Sequence, residues 1–140
     1  MASAITDYLS NALLNHIFGG VDYVRPANVY IAALTAPAVN SDTGTTIAAK
    51  EATYTGYQRL QVANNSINFP VASGRAKTNG AQFLFAEGTA GSSVVTDIAI
   101  CDAAANGNVL AKGTLSTPRT VSAGVMLRIE PGDIQFTIDV

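Results

Sequence analysis

The chain has 140 residues and a mass of 14.4 kDa, which suits one domain with its own hydrophobic core. Only 13% of its residues are charged, whereas about 25% is usual. A net charge of −2 and a pI near 5.1 disfavour nucleic acid or an anionic membrane as partners. The sequence shows no basic leader, no apolar run of membrane-spanning length and no cysteine besides Cys101. These features favour a protein that folds in a reducing cytoplasm.

The opening segment has apolar residues at three- and four-residue spacing, which predicts an amphipathic helix over residues 3–18. Ser3 or Thr6 is the expected N-cap, and Gly19-Gly20 supplies the stop. The apolar stripe of this helix either covers an open edge of the fold or packs on a partner chain. The residues of this stripe expected to make the contact are Ile5, Leu9, Leu13 and Ile17.

The rest of the chain has the composition and spacing of β-strands and turns. The run "NVYIAALT" is almost continuously apolar, which predicts a strand that is buried on both faces. Further strands are expected at "YQRLQVA", "AQFLFAE", "SVVTDIAICDA" and "VLAKGTL", with Asn106-Gly107 as a hairpin turn. About eight short strands at regular spacing predict a single domain over residues 1–140. Its fold class is all-β, a jelly-roll-like antiparallel β-sandwich with one N-terminal helix.

One long segment, residues 36–56, is polar and rich in threonine and alanine. At about 20 residues it is long for a loop inside a compact domain. We predict that it extends from the body as an arm and becomes ordered on a partner. Deleting residues 43–52 is then expected to weaken attachment and to leave the fold intact.

The sequence offers little for catalysis. His16 is the only histidine and lies on the helical stripe, so there is no zinc set and no Cys–His pair. Two carboxylate pairs, Asp97 with Asp102 and Glu130 with Asp133, flank strand ends and a turn, which favours turn hydrogen bonds over acid–base or metal chemistry. We expect no enzyme activity, no catalytic or metal-binding residue and no cofactor.

Three basic residues, Arg59, Arg75 and Lys77, fall in a stretch that has no acidic residue between Glu51 and Glu87. Such a stretch either contacts an acidic protein surface or forms a solvated face of a sheet.

The two ends of the chain carry recognisable patterns. The opening has "DYLSNALLNHIFGG" followed by "YVRPANVYIAALT", and the closing has "GNVLAKGTLSTPRTVSAGVMLRIEPGDIQFTI". Within the closing stretch, Thr117, Pro118, Val121, Gly124 and Leu127 match the pattern TP-x-x-V-x-x-G-x-x-L. Together these stretches resemble a family of small structural proteins of tailed bacteriophages, often labelled tail-fibre proteins. In length and pattern the chain is most similar to the jelly-roll capsid cement protein of a Bordetella podovirus.

This resemblance implies a decoration protein on the outer capsid surface of the virion, made in the host bacterial cytoplasm. Its implied partners are the major capsid protein and a second copy of the chain in a homodimer, with no nucleic acid and no membrane. Many weak contacts across subunit junctions then add up through multivalency. The residues predicted to contact a partner are Ile5, Leu9, Leu13, Ile17, Thr43, Thr45, Thr46, Arg59, Arg75 and Lys77.

Other functions stay open at this point. A tail-fibre or baseplate protein is the first alternative, and a carbohydrate-binding sandwich is the second. The only aromatic platform available to such a sandwich is formed by Tyr23, Tyr30, Tyr54 and Tyr57. An enzyme is the least favoured class.

Overall fold

A computed structural model describes residues 2–138. In chain order its elements are β1 (Ala2–Ile5), α1 (Asp7–Ile17), β2 (Asn28–Leu34), a 3-10 helix (Thr46–Lys50), β3 (Leu60–Ala63), β4 (Ala76–Thr78), β5 (Phe83–Leu84), β6 (Ser92–Cys101), β7 (Val109–Ser122), β8 (Arg128–Ile129) and β9 (Gln135–Thr137). A curled seven-stranded sheet has the order β3-β2-β6-β7-β1-β9-β4, and β5 pairs with β8 in a second sheet. The predicted fold class, a β-sandwich of jelly-roll type with one short helix near the N-terminus, is confirmed.

The central strands β2, β6 and β7 have apolar residues on both faces because successive side chains of a strand point in opposite directions. On β2, Ile31 and Ala33 join the larger core, which also holds the phenylalanines of the second layer. The alternate residues Ala32 and Leu34 join a smaller core on the other face. The prediction that "NVYIAALT" is buried on both faces is therefore confirmed.

The hairpin between β6 and β7 is the longest pairing in the sheet. Its connection contains Asn106 and Gly107, which have φ values of +55° and +71°. These left-handed conformations are the ones that the Asn-Gly pair favours in tight turns. The predicted turn lies where the sequence placed it.

The helix begins later than predicted. Residues Ala2–Ile5 form β1, which pairs antiparallel with β7 and parallel with β9, so α1 starts only at Asp7. Pairing with two neighbouring strands satisfies the backbone of this segment on both sides, which one further helical turn cannot do. The predicted start at residue 3 is wrong, and Ile5 lies on a strand rather than on the helical stripe.

The segment of residues 36–56 is not an extended arm. It folds over the smaller core, where the side chain of Ile47 is completely buried. Glu51 bridges to Leu34, and the Ala52 N–H donates to the Ala33 carbonyl at 2.9 Å. Ala38 and Ile47 of this polar segment pack in the smaller core and Ala52 and Tyr54 in the larger one, so deleting residues 43–52 would remove part of both cores.

A glycine fixes where this segment docks. A Cβ atom on Gly44 would lie 1.7 Å from the carbonyl oxygen of Asn106 in the β6–β7 turn. The two backbones meet through the Gly44 N–H, which donates to the Gly107 carbonyl at 2.9 Å. Only glycine allows this close approach.

Candidate functional site

Helix α1 is anchored at its first turn. Thr6 is the N-cap, and its completely buried side chain accepts the Leu9 N–H at 3.4 Å. Its hydroxyl also lies within hydrogen-bond distance of the Val109 and Leu110 carbonyls of β7. The Thr6 N–H donates to the same Leu110 carbonyl at 3.0 Å. One residue therefore caps the helix and joins it to the sheet, as the sequence predicted for the cap.

Beyond this anchor, helix and sheet diverge and leave an open groove with a volume of about 530 Å³, here called the α1 groove. Leu9 and Leu13 form its helical side, and buried residues of the sheet, including Val29, Ile100 and Leu110, form its floor. The complete lining is Leu9, Leu13, Tyr23, Arg25, Pro26, Val29, Asn64, Asn65, Ser66, Phe69, Lys77, Ile100, Leu110, Ala111 and Phe136. A concave, mainly apolar surface with a few polar groups at its edge is the usual form of a binding site.

The charges in the α1 groove have one sign. Arg25 and Lys77 are among its lining residues, and the lining contains no carboxylate. Lys77 is half-buried on the edge strand β4, so its methylene stem lies along the apolar surface. The groove therefore favours an apolar group that carries a negative charge nearby.

The C-terminal end of α1 and the turn after it form an exposed apolar cluster. Its members are Leu14, Ile17, Phe18, Val21 and Val24. Each of these side chains is between 57% and 85% exposed, although all five are large and apolar. Single exposed apolar residues are normal on a surface, but five of them within residues 14–24 form a group that suits an interaction surface.

His16 holds the turn after α1 in place. Its Nδ1 atom accepts the Tyr23 N–H at 3.1 Å, and it lies 3.7 Å from the Asp22 carboxylate. Nδ1 thus acts as an acceptor for the backbone of the turn. The histidine serves the local turn from an exposed position, and the Asp22 side chain is 92% exposed.

The predicted helical stripe divides between these two surfaces. Leu9 and Leu13 face the α1 groove, whereas Ile17 is 66% exposed in the apolar cluster. The stripe therefore does not cover an edge of the sandwich along its whole length. No residue of α1 is fully buried.

Arg59 does not belong to an exposed basic patch. Its guanidinium is almost completely buried and pairs with Glu51 at 2.6 Å and 2.9 Å. The remaining donors reach the carbonyls of Gly44, Ala103 and Asn106 at 2.7–3.1 Å. All five N–H donors of the arginine are thereby used within the chain. Its role is to join the 36–56 segment to the β6–β7 turn.

Tyr57 extends this buried network. Its hydroxyl donates to Glu51 at 2.7 Å and accepts the Ala33 N–H of β2 at 3.1 Å. Burial, and then the neighbouring Glu51 carboxylate, raise the pKa of Tyr57 far above its ordinary value. The phenol stays neutral and remains a donor, so the network is structural.

The other predicted contact residues lie apart from one another. Arg75 is exposed in a turn with a φ of +64°, and Lys77 lines the α1 groove. Thr43 and Thr46 cap one another across the start of the 3-10 helix, with N···Oγ1 distances of 2.9 Å and 3.2 Å. The Thr45 hydroxyl approaches the Asn106 side chain at 3.4 Å. These threonines are exposed but serve the local turn.

The tyrosines do not form a common platform. Tyr54 is 2% exposed, and its ring packs edge-on against Tyr57 with centroids 5.6 Å apart. Tyr54 and Tyr57, two members of the platform suggested by the sequence, therefore pack against each other within the fold.

The carboxylates and the cysteine behave as structural residues. Asp102 accepts two hydrogen bonds from Asn108 at 2.7 Å and 2.9 Å, and Asp133 accepts the Glu130 N–H at 3.0 Å. Cys101 is buried in the smaller core, and burial raises the pKa of its thiol to about 12. Within residues 2–138 no three histidine, cysteine, aspartate or glutamate side chains meet in a way that could hold a metal ion.

The sequence analysis did not predict most residues of the exposed apolar cluster or Arg25 of the α1 groove. Phe18, Val21, Val24 and Arg25 lie beyond or at the helix stop, where large apolar side chains have no periodic pattern to join. The available signal was the presence of Phe18 directly before the glycine pair and of two valines in the short turn between that pair and Pro26. Apolar residues in a turn favour contact with another surface.

Together the fold and this surface define a small β-sandwich whose prominent features are an apolar groove and an apolar protrusion rather than a set of reactive groups. The family model of the podophage GP4 fiber I protein gp80 matches residues 4–137. The chain belongs to that family and is a structural protein of podophage type, which is consistent with a place in the virion. A comparison with curated protein sequences found no match. Among the helices of residues 2–138, none has the length and apolarity to cross a membrane.

Proposed function

We propose that the protein is a capsid cement protein, which binds the outer shell of a podophage and stabilises contacts between major capsid subunits. The observation that supports binding as its activity is the exposed apolar cluster beside the α1 groove. A lone chain in water gains nothing from exposing five large apolar side chains in one place. The resemblance of the chain in length and pattern to a capsid cement protein favours the shell as the place where the protein, alone or as a pair, is held.

The proposed mechanism is burial of apolar surface without chemistry. Each copy contributes contacts of modest strength, and many copies on one shell make detachment of the whole layer slow. The low charge of the chain suits this use because a buried charge needs a partner. A second copy is a further proposed partner, since paired copies would span a junction between shell subunits.

A tail-fibre role is the second candidate, since the matching family is named for a fiber protein. In that case the same surface would bind another tail component, and the chain would be present in few copies.

The two candidates differ in copy number. Quantitative mass spectrometry of purified virions, with the major shell subunit as the internal standard, measures it directly. A ratio near that of the shell subunit supports a cement protein. A few dozen copies or fewer per particle would contradict it and would favour the tail.

A further inference from the structure

We propose that two copies of this chain pair reciprocally, with the exposed apolar cluster of each copy inserted into the α1 groove of the other. The inserted part is the turn that carries Phe18, Val21 and Asp22. This inference rests on the proposed self-association and assigns its site and its mode.

The two surfaces are both apolar, one of them concave and the other exposed. The α1 groove is a concave apolar site of about 530 Å³. Phe18 and Val21 protrude from the same molecule with 74% and 61% of their surfaces exposed. A buried aromatic side chain that fills a pocket is the usual anchor of a protein–protein interface.

The charges are complementary as well. Arg25 and Lys77 lie in the groove lining, which has no carboxylate. Asp22 directly follows Val21, and its side chain is 92% exposed. Within its own chain, the Asp22 carboxylate lies 3.7 Å from the His16 Nδ1 atom, which accepts the Tyr23 N–H. Insertion of the turn would bring the Asp22 carboxylate of one copy to the cations of the other.

The placement of the two surfaces suits a twofold axis. Leu13 lines the groove and Leu14 belongs to the exposed cluster, so protrusion and recess meet along one helix. Tyr23 and Arg25 of the groove follow the protruding turn within three residues of Asp22. A patch that holds both a protrusion and the recess for it is self-complementary and can be used twice in a symmetric dimer.

Charge reversal gives a sharp test with the full-length chain. In Asp22→Lys, each copy would bring a lysine to the partner's Lys77, and in Lys77→Glu, each copy would bring Asp22 to a glutamate. Each variant alone is expected to dimerise at least about tenfold more weakly than the wild type. An equal mixture of the two variants restores both contacts, since every protrusion then meets a groove of opposite charge.

Sedimentation equilibrium of the wild type, of both variants and of their mixture measures these affinities, and circular dichroism checks that each chain is folded. Weak dimers of each variant together with a heterodimer of near wild-type affinity are the expected result. Phe18→Ser tests the apolar half of the contact independently of charge and is expected to weaken the dimer at least about tenfold.

Two results would overturn the inference. One is a wild type that stays monomeric at all accessible concentrations. The other is a set of folded variants whose dimers are as strong as the wild type, or a mixture that fails to recover affinity. A wild-type dimer that ignores all three substitutions pairs through another face, which leaves the proposed function and its copy-number test intact.

Discussion

The 36–56 segment and the C-terminal end of α1 place their apolar and charged side chains in opposite surroundings. The 36–56 segment closes over the smaller core, buries Ile47 and joins Glu51 to Arg59 through a complete set of hydrogen bonds. The C-terminal end of α1 leaves Phe18 and Asp22 in solvent beside an open groove. A region that buries its apolar side chains and pairs its charged ones stabilises the fold. A region that leaves such side chains in solvent is available to a partner.

The largest effect that separates the two regions is expected at Arg59. Replacing it with alanine removes the ion pair of the Glu51 carboxylate, which keeps only the Tyr57 hydroxyl as a side-chain donor, and removes the donors to three carbonyls. We expect a loss of about 3–5 kcal/mol in the free energy of unfolding, measured by urea denaturation. The control is Arg75→Ala at an exposed turn, for which a change within about 0.5 kcal/mol is expected. A small effect at Arg59 would mean that the segment is not fixed by this network.

A second comparison is between a buried aliphatic residue of the 36–56 segment and an exposed one of α1. Ile47→Ala opens a cavity beneath the 36–56 segment and is expected to cost about 2–5 kcal/mol. Leu14→Ala removes a side chain that is 57% exposed at the end of α1 and is expected to change stability by about 0.5 kcal/mol or less. Equal losses in urea denaturation would show that α1 is as tightly packed as the segment.

The anchor of α1 should matter less than the buried network. Thr6→Ala removes the N-cap oxygen and the contacts to β7, with an expected loss of about 0.5–2 kcal/mol. Thr45, the N-cap of the 3-10 helix, makes no capping hydrogen bond with its side chain, so Thr45→Ala is the matched control. If both threonines gave the same loss, capping by Thr6 would not be the cause.

The smallest expected effect depends on pH. Burial raises the pKa of Asp42, but hydrogen bonds from Lys50, the Val39 N–H and Thr46 outweigh it, so the pKa lies below its ordinary value. The stability that this carboxylate contributes is therefore present above about pH 4 and is lost as the pH falls through the lowered pKa. The stability difference between the wild type and Asp42→Asn should shrink as the pH falls below about 4. Urea denaturation over a pH series measures it, and a constant difference would contradict the assignment.

The contrast between the regions also explains what the sequence could predict. Alternating and β-branched runs of residues predicted β2, β6 and β7, because the burial of these strands is reflected in the pattern of the local sequence. The start of α1 was misplaced because residues 2–5 find their partners on β7 and β9, more than a hundred residues away. Arg59 was assigned to the surface because neither Glu51 nor the turn carbonyls that surround it can be recognised as its partners from spacing alone.

The candidate site was predictable in part. The stripe indicated Leu9 and Leu13, which line the α1 groove, and Ile17, which belongs to the exposed cluster. The groove itself was not predictable, since it forms between a helix and strands and loops from distant parts of the chain. A periodic pattern shows which side chains share a face of an element, and only the fold shows whether that face is covered.

The central claim is that the open end of α1, through contact with a second copy or with the shell, holds this protein in the virion. Its most direct test is the copy number of an Ile17→Ser/Phe18→Ser chain in purified virions, measured by quantitative mass spectrometry against the wild type. Both side chains are exposed, so the variant should unfold at a urea concentration close to that of the wild type. The expected result is a folded variant that is largely missing from the particles. A folded variant that is incorporated at the wild-type copy number would contradict the account.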